Sequence, residues 1–161
     1  MTAPTAPTSQ DVARSVARRF CGWHVTPVNE DDVVTLDGPR SPLLVLPTLR
    51  LIELGGVVED GVTLNVADLH WSTRGLVRKK SGANWSRNYG AIVVTMTHGF
   101  EAAEALDFTA AVSSYAERSE ASDKPRVVGP FQWDSKAMAD GSAFSVVERS
   151  LLEQYRLESA P

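Results

Sequence analysis

The hydrophobic period of this chain changes twice, and that double change limits its architecture more than any single motif. In residues 9–21, SQDVARSVARRFC, Val12, Val16 and Phe20 recur at i, i+4 and i+8 with Ala13 and Ala17 beside them. This spacing predicts an amphipathic helix. Ser9 is placed to cap it, Asp11 suits its first turn, and Gly22 stands at its expected end. From Trp23 to His98 the text is extended and punctuated by turn residues. PLLVLP reads as a short apolar strand, LRLIELGGVVEDGVTLN as one or two hairpins turning at Gly-Gly and Glu-Asp-Gly, and LHWSTRGLVRK as another. AIVVTMTH is the strongest strand, with Ile92, Val94, Met96 and His98 on one side and Val93, Thr95 and Thr97 on the other. After Gly99 the helical period returns in EAAEALDFTAAVSSYAERSEA through Ala105, Phe108, Val112 and Tyr115. Residues 122–143 carry turn residues around the brief strand RVVGPFQW. A last short helix places Phe144, Val147 and Leu151 on one face.

The class this implies is α+β. A small helical bundle of N-terminal, long central and short C-terminal helices carries an inserted antiparallel sheet of hairpins and an extended C-terminal tail. At 161 residues one domain is expected. Residues 1–8 read as a flexible Thr/Ala/Pro arm, 9–151 as the domain with its β insertion at about 23–98, and 152–161 as the tail. The N-terminus has neither a basic nor an apolar stretch, so no signal peptide is expected. No apolar run reaches about 18 residues, so no membrane span is expected.

The chemistry-bearing residues are sparse. The single cysteine, Cys21, forms no internal disulfide and reads as a small buried apolar residue. His24, His70 and His98 share no metal-ligand spacing, and no metal or cofactor is expected. His98 before Gly99 has the look of a base at a strand-to-helix turn. The alternation reads it instead as a hydrogen-bonded residue at the rim of the apolar face, with Gly99 freeing the backbone for the turn. The acid runs Glu30-Asp31-Asp32 and Glu59-Asp60 fall at turns and do not converge. No phosphate-binding or nucleophile motif is present, so no catalytic residue is assigned and the chain is not expected to be an enzyme.

The net charge of −4 argues against a free-standing nucleic-acid binder. One stretch runs the other way. In RGLVRKKSGANWSRNYG, Arg74, Arg78, Lys79, Lys80 and Arg87 are interleaved with Trp85 and Tyr89. Such a loop suits stacking on single-stranded nucleic acid, or contact with a partner protein through Trp, Tyr and Arg anchors. Arg14, Arg18, Arg78, Lys79, Trp85 and Tyr89 are therefore candidate inter-subunit or partner contacts.

Taken in order, the RRFCGWHVTP helix end, the PLLVLPTLRLIEL strands, AIVVTMTHGF leading into a helix, VVGPFQW, and the closing FSVVERSLLEQYRL resemble the small head-to-tail connector (adaptor) proteins of long-tailed bacteriophages, most of all those of actinobacterial phages. The resemblance covers residues 9–157. It implies a virion structural protein of the neck, assembled in the host cytoplasm: a ring, commonly of twelve copies, beneath the portal protein. Such a ring extends the DNA channel and docks the next connector, stopper or tail-terminator protein. DNA would pass without sequence-specific binding, and an acidic or mixed lumen would keep it sliding, with Glu30, Asp31, Asp32, Glu59 and Asp60 as candidate lining residues. The C-terminal segment would reach the portal. Residues 152–161 span about 30 Å if extended at roughly 3.3 Å per residue, and Leu152, Tyr155, Arg156 and Leu157 are the expected contacts. Gly99 becomes a hinge into the long helix. The isolated chain is expected to be a monomer or weak oligomer. The alternative function is a nucleic-acid-binding accessory module using the 74–89 loop.

Overall fold

The structure, a computed structural model, describes residues 6–122, 127–128, 131–132 and 144–157. The outer parts of the expected arm and tail, and most of the 122–143 segment, lie outside the described residues. The class is mixed α+β, as the two period changes require. The elements form two compact units. One comprises Met1–Cys21 and Leu106–Arg156, the other Gly22–Ala105 and Leu157–Pro161.

The helical unit contains α1 (Ser9–Cys21), α2 (Leu106–Ser122) and α3 (Val146–Glu153). The cap of α1 is Thr8, one residue before the expected Ser9. Its hydroxyl accepts from the Asp11 amide at 3.2 Å, while its own amide donates to the Asp11 carboxylate at 3.1 Å. The buried seam of α1 is Ala13, Ala17 and Cys21, not the Val12–Val16–Phe20 row beside it. Small residues at that seam let a neighbouring helix approach closely, which leaves the larger side chains at the rim. The second helix has 17 residues and starts later than expected, at Leu106. Residues 101–104 turn instead, the Glu104 amide donating to the Glu101 carbonyl at 2.9 Å. Phe108, Ala111, Val112 and Ala116 face inward. With helices of 13, 17 and 8 residues, the long central helix of the expected bundle is only loosely matched.

The third helix is rotated from its expected setting. Phe144, Glu148 and Leu152 are buried, whereas Val147 is exposed. A capping box begins the helix: the Ser145 hydroxyl accepts from the Glu148 amide, and the Glu148 carboxylate accepts from the Ser145 amide at 2.7 Å. The Arg118 guanidinium of α2 closes on the same carboxylate at 2.7 Å through Nη2. That pairing makes a carboxylate tolerable at a core position.

The β unit holds two sheets. Strands β1 (Asn29–Leu36), β3 (Leu51–Glu59), β4 (Val62–Leu64) and β7 (Ile92–His98) form one, in the order β1-β7-β3-β4. Strands β2 (Leu43–Val45), β5 (Leu69–Trp71) and β6 (Leu76–Lys79) form the other, in the order β2-β6-β5. All pairings are antiparallel. The first sheet is not a plain run of hairpins, because β7 lies between β1 and β3 and pairs with both. Gly55-Gly56 is not a turn either. It lies inside β3 at a register shift against β7, and a Cβ on Gly55 would come within 3.3 Å of the Thr95 carbonyl oxygen. Asp60-Gly61 makes the β3–β4 turn, both residues at positive φ. The inward residues of β7, with Leu44, Leu46, Leu51, Leu54, Val57, Leu69, Val77 and Trp85, form the core. Each such side chain contributes about 1.5–3 kcal/mol when fully buried. Short strands β8 (Val127–Val128) and β9 (Phe131–Gln132) pair where VVGPFQW predicts extended chain.

Candidate functional site

His98 ends the inward row of β7 and is buried. Its Nε2 meets a carboxylate oxygen of Asp32, on β1, at 3.1 Å, while Nδ1 is buried without a hydrogen-bond partner. Trp23 stacks on the imidazole at 6.2 Å between ring centroids, and His24 lies 6.0 Å away. His24 Nε2 is held 2.6 Å from the Pro27 carbonyl oxygen. Gly99 follows at φ 112°, its amide donating to the Arg50 carbonyl. A Cβ there would stand 2.8 Å from the Pro27 carbonyl oxygen, so glycine is required by a close backbone crossing. This geometry places the expected hinge residue in a packed, hydrogen-bonded corner. Among the described residues no group of His, Cys, Asp and Glu is arranged to hold a metal, and no helix is long and apolar enough to cross a membrane.

The basic-aromatic loop divides between core and surface. Trp85 is 3% exposed and belongs to the β core. Lys79 lies over its ring at 4.7 Å and pairs with Glu59 at 2.6 Å. Both residues named as contacts are thereby committed to the fold. Arg74, Arg78, Lys80 and Arg87 stay exposed, and Tyr89 is 91% exposed. Arg40, Glu59, Asp60, Trp85, Ser86 and Arg87 line an open, polar cavity of about 690 Å³. Its acids are already occupied. Glu59 also accepts from the Ser86 amide at 2.8 Å, and Asp60 accepts from the Asn88 amide group at 2.9 Å. The Asn88 hydrogen bond, helped by Ser86, holds the Asp60 carboxyl below its usual range. Of the five acids considered for a channel lining, Glu30, Asp31 and Asp60 are exposed with no ion pair among the described residues, and Asp60 is held by Asn88.

The C-terminal candidates are distributed in the same way. Leu152 is fully buried, and Tyr155 packs edge-on against Phe108 at 6.0 Å. Burial, with Asp107 adding to it, raises the Tyr155 phenol. These two side chains close α3 onto the helical unit. Arg156 lies over the Phe20 ring at 5.5 Å and bonds Glu153 at 3.2 Å, and Leu157 is half-buried. On α1, Arg14 is exposed and Arg18 half-buried, with burial lowering the Arg18 guanidinium.

Sequence periodicity did not identify one feature, a groove of about 410 Å³ within the helical unit. Val16, Phe20 and Phe144 supply its apolar lining, Arg19, Arg149 and Arg156 its cations, and Glu153 its acid. The signal is the Val12–Val16–Phe20 row, but the period joins it with Ala13 and Ala17 into one apolar face and does not tell which part of that face is buried.

No family model matches the chain, and no curated protein matches it. Two solved structures share the fold. One is described as "Neck of native GTA particle computed with C12 symmetry". It superposes with a TM-score of 0.63 at 13% identity, over 95% of this chain and 82% of that one. The other, "Neck of empty GTA particle computed with C6 symmetry", gives 0.62 at 16% identity, over 95% and 78%. At these identities the likeness is one of fold.

Proposed function

We propose that this chain is a structural neck protein of a tailed virion or virus-like particle. In this reading it is a head-to-tail adaptor, not an enzyme. It forms a homo-oligomeric ring of twelve copies below a portal protein, extends the DNA channel and docks the next connector, stopper or tail-terminator protein. The observation that carries the reading is the fold match over 95% of the chain to a neck protein solved with C12 symmetry. It agrees with the ordered set of elements that resembles phage adaptors. A cyclic ring joins unlike surfaces of successive copies and closes because the rotation closes. Many copies acting on one portal gain from avidity even when each contact is weak.

Leu152 and Tyr155 are occupied within the helical unit. Portal contact in this reading falls to the segment that follows them, beginning at Arg156 and Leu157. The test is electron microscopy of the protein mixed with its cognate portal, beside each alone. Ring density on the tail-side end of the portal is the expected result. Bare portals with free protein at micromolar concentration refute it. A DNA mobility shift at physiological salt that disappears in the Arg78→Ala, Lys80→Ala double variant would favour the nucleic-acid-binding alternative. The burial of Trp85 removes one of the two aromatic groups that alternative needs.

A further inference from the structure

Among the described residues, the helical unit leaves one apolar row partly exposed and borders it with positive charge. Its seam uses Ala13, Ala17 and Cys21. Val12 remains 48% exposed, and Val16 and Phe20 continue its row into the groove beside Phe144. Three arginines border this floor against one acid, Glu153, which Arg156 already pairs. Among the described residues, Arg19 is exposed without an ion pair, and the Arg149 guanidinium donates to the Phe144 carbonyl at 3.5 Å and makes no ion pair. An excess of cations around an apolar floor, in a chain of net charge −4, favours an occupant that is acidic and aliphatic together.

The chain presents such a segment itself. Strand β1 is an outer strand of its sheet, with one edge unpaired among the described residues. On it Val33 is 61% exposed, directly after Glu30, Asp31 and Asp32. The register slips between Asn29 and Asp32, and Asp31 takes φ 50°, so the acids lie on a bulge. Asp32 turns to His98, which leaves Glu30 and Asp31 exposed.

We infer that the arginine-bordered groove between α1 and α3 receives the acidic edge strand of a neighbouring copy, with Val33 on the Phe20–Phe144 floor and Glu30 and Asp31 against Arg19 and Arg149. The inference rests on the ring reading above and supplies its subunit contact. The two surfaces are different, as a cyclic assembly requires. It also takes Glu30 and Asp31 away from the channel lining.

Disulfide trapping of full-length chains tests it. Cys21 is buried and does not interfere. Arg149→Cys protein mixed with Glu30→Cys protein under copper–phenanthroline oxidation is expected to give a heterodimer. Arg149→Cys mixed with Tyr89→Cys supplies the random-collision background, and adding Arg19→Glu to the groove partner should return the yield to that background. A heterodimer yield no greater than background overturns the inference. A chain carrying both Arg149→Cys and Glu30→Cys separates the pairing from the ring. A ladder ending in one closed band supports both. A product that stops at two copies keeps the pairing and removes the ring. Rings seen on portals without specific trapping keep the ring and remove the pairing.

Discussion

Replacing Glu148 with Gln should destabilise the helical unit, and the structure gives the size and pH dependence of the loss. The residue is 4% exposed, at a position where an unpaired carboxylate would be costly. Hydrogen bonding from Arg118 lowers its pKa most; burial opposes this, and the Ser145 amide, Ser114 and the Ser145 hydroxyl add to the lowering. The carboxyl falls from an ordinary 4.5 to about 2. At about 1.4 kcal/mol per unit this corresponds to about 3 kcal/mol. Arg118 is 47% exposed on its side chain, so solvent screening reduces the expected effect to about 2 kcal/mol.

Because the folded pKa lies below the unfolded one, this stability is present above pH 4.5 and is lost as pH falls toward 2. The assay is urea denaturation followed by circular dichroism at 222 nm, at neutral pH and in steps down to pH 2. The wild type should exceed Glu148→Gln by about 2 kcal/mol at neutral pH, and the gap should close through the acid window. A gap under about 0.5 kcal/mol at neutral pH, the scale of an ordinary surface substitution, would refute the reasoning. So would a larger gap that stays constant to pH 2, because the loss would then come from packing and not from charge.

Gly99→Ala should cost the β unit about 2–4 kcal/mol, since it combines positive φ with a 2.8 Å approach to the Pro27 carbonyl oxygen. Gly56→Ala, whose Cβ meets nothing within 4 Å, should be near neutral when both variants are followed by tryptophan fluorescence in denaturant. Equal losses would contradict the close-crossing account. Lys79→Met should destabilise by about 2–3 kcal/mol by leaving Glu59 half-buried without its cation, and adding Glu59→Gln should recover part of the loss. Arg78→Ala, on the exposed side of the same strand, should change stability by less than about 0.5 kcal/mol. Similar effects from both would show that Lys79 is a surface residue. The Cys21 thiol, pushed up to about 12 by burial, should resist a thiol reagent at pH 8 until urea unfolds the helical unit. Rapid stoichiometric labelling of the native protein would show that the α1 seam is open.

Legibility of the fold followed the side-chain period. In β7 the alternation of Ile92, Val94, Met96 and His98 selects one buried face without ambiguity, and the structure buries all four. Phe108 and Val112 did the same for α2. Period alone failed where two rows competed or where a polar group occupied the core. On α1, Ala13 and Ala17 carry less hydrophobicity than Val12 and Val16, yet the small row takes the seam. On α3, Glu148 occupies a position that patterning reserves for an apolar residue. Arg118, 30 residues away, does most to make that acceptable. Topology was equally hidden, because β7 joins strands on both sides through contacts remote in sequence.

The contact residues divide for a related reason. Tryptophan, tyrosine and arginine favour interfaces because they combine apolar area with a polar end, and the same combination suits the boundary of a small core. Composition therefore could not tell Trp85, which closes the β core under Lys79, from Tyr89, which projects freely four residues later. Nor could it tell Tyr155, packed on Phe108, from Arg156, which forms part of the groove. What separates them is whether the local fold already supplies a partner. Applied across the described residues, that criterion removes Leu152, Tyr155, Lys79 and Trp85 from the set of free anchors. Besides Arg14, Arg78 and Tyr89, it leaves two surfaces of opposite charge, the groove bordered by Arg19 and Arg149 and the Glu30–Asp31 bulge beside Val33. The proposed ring would need two unlike faces, one for each neighbouring copy.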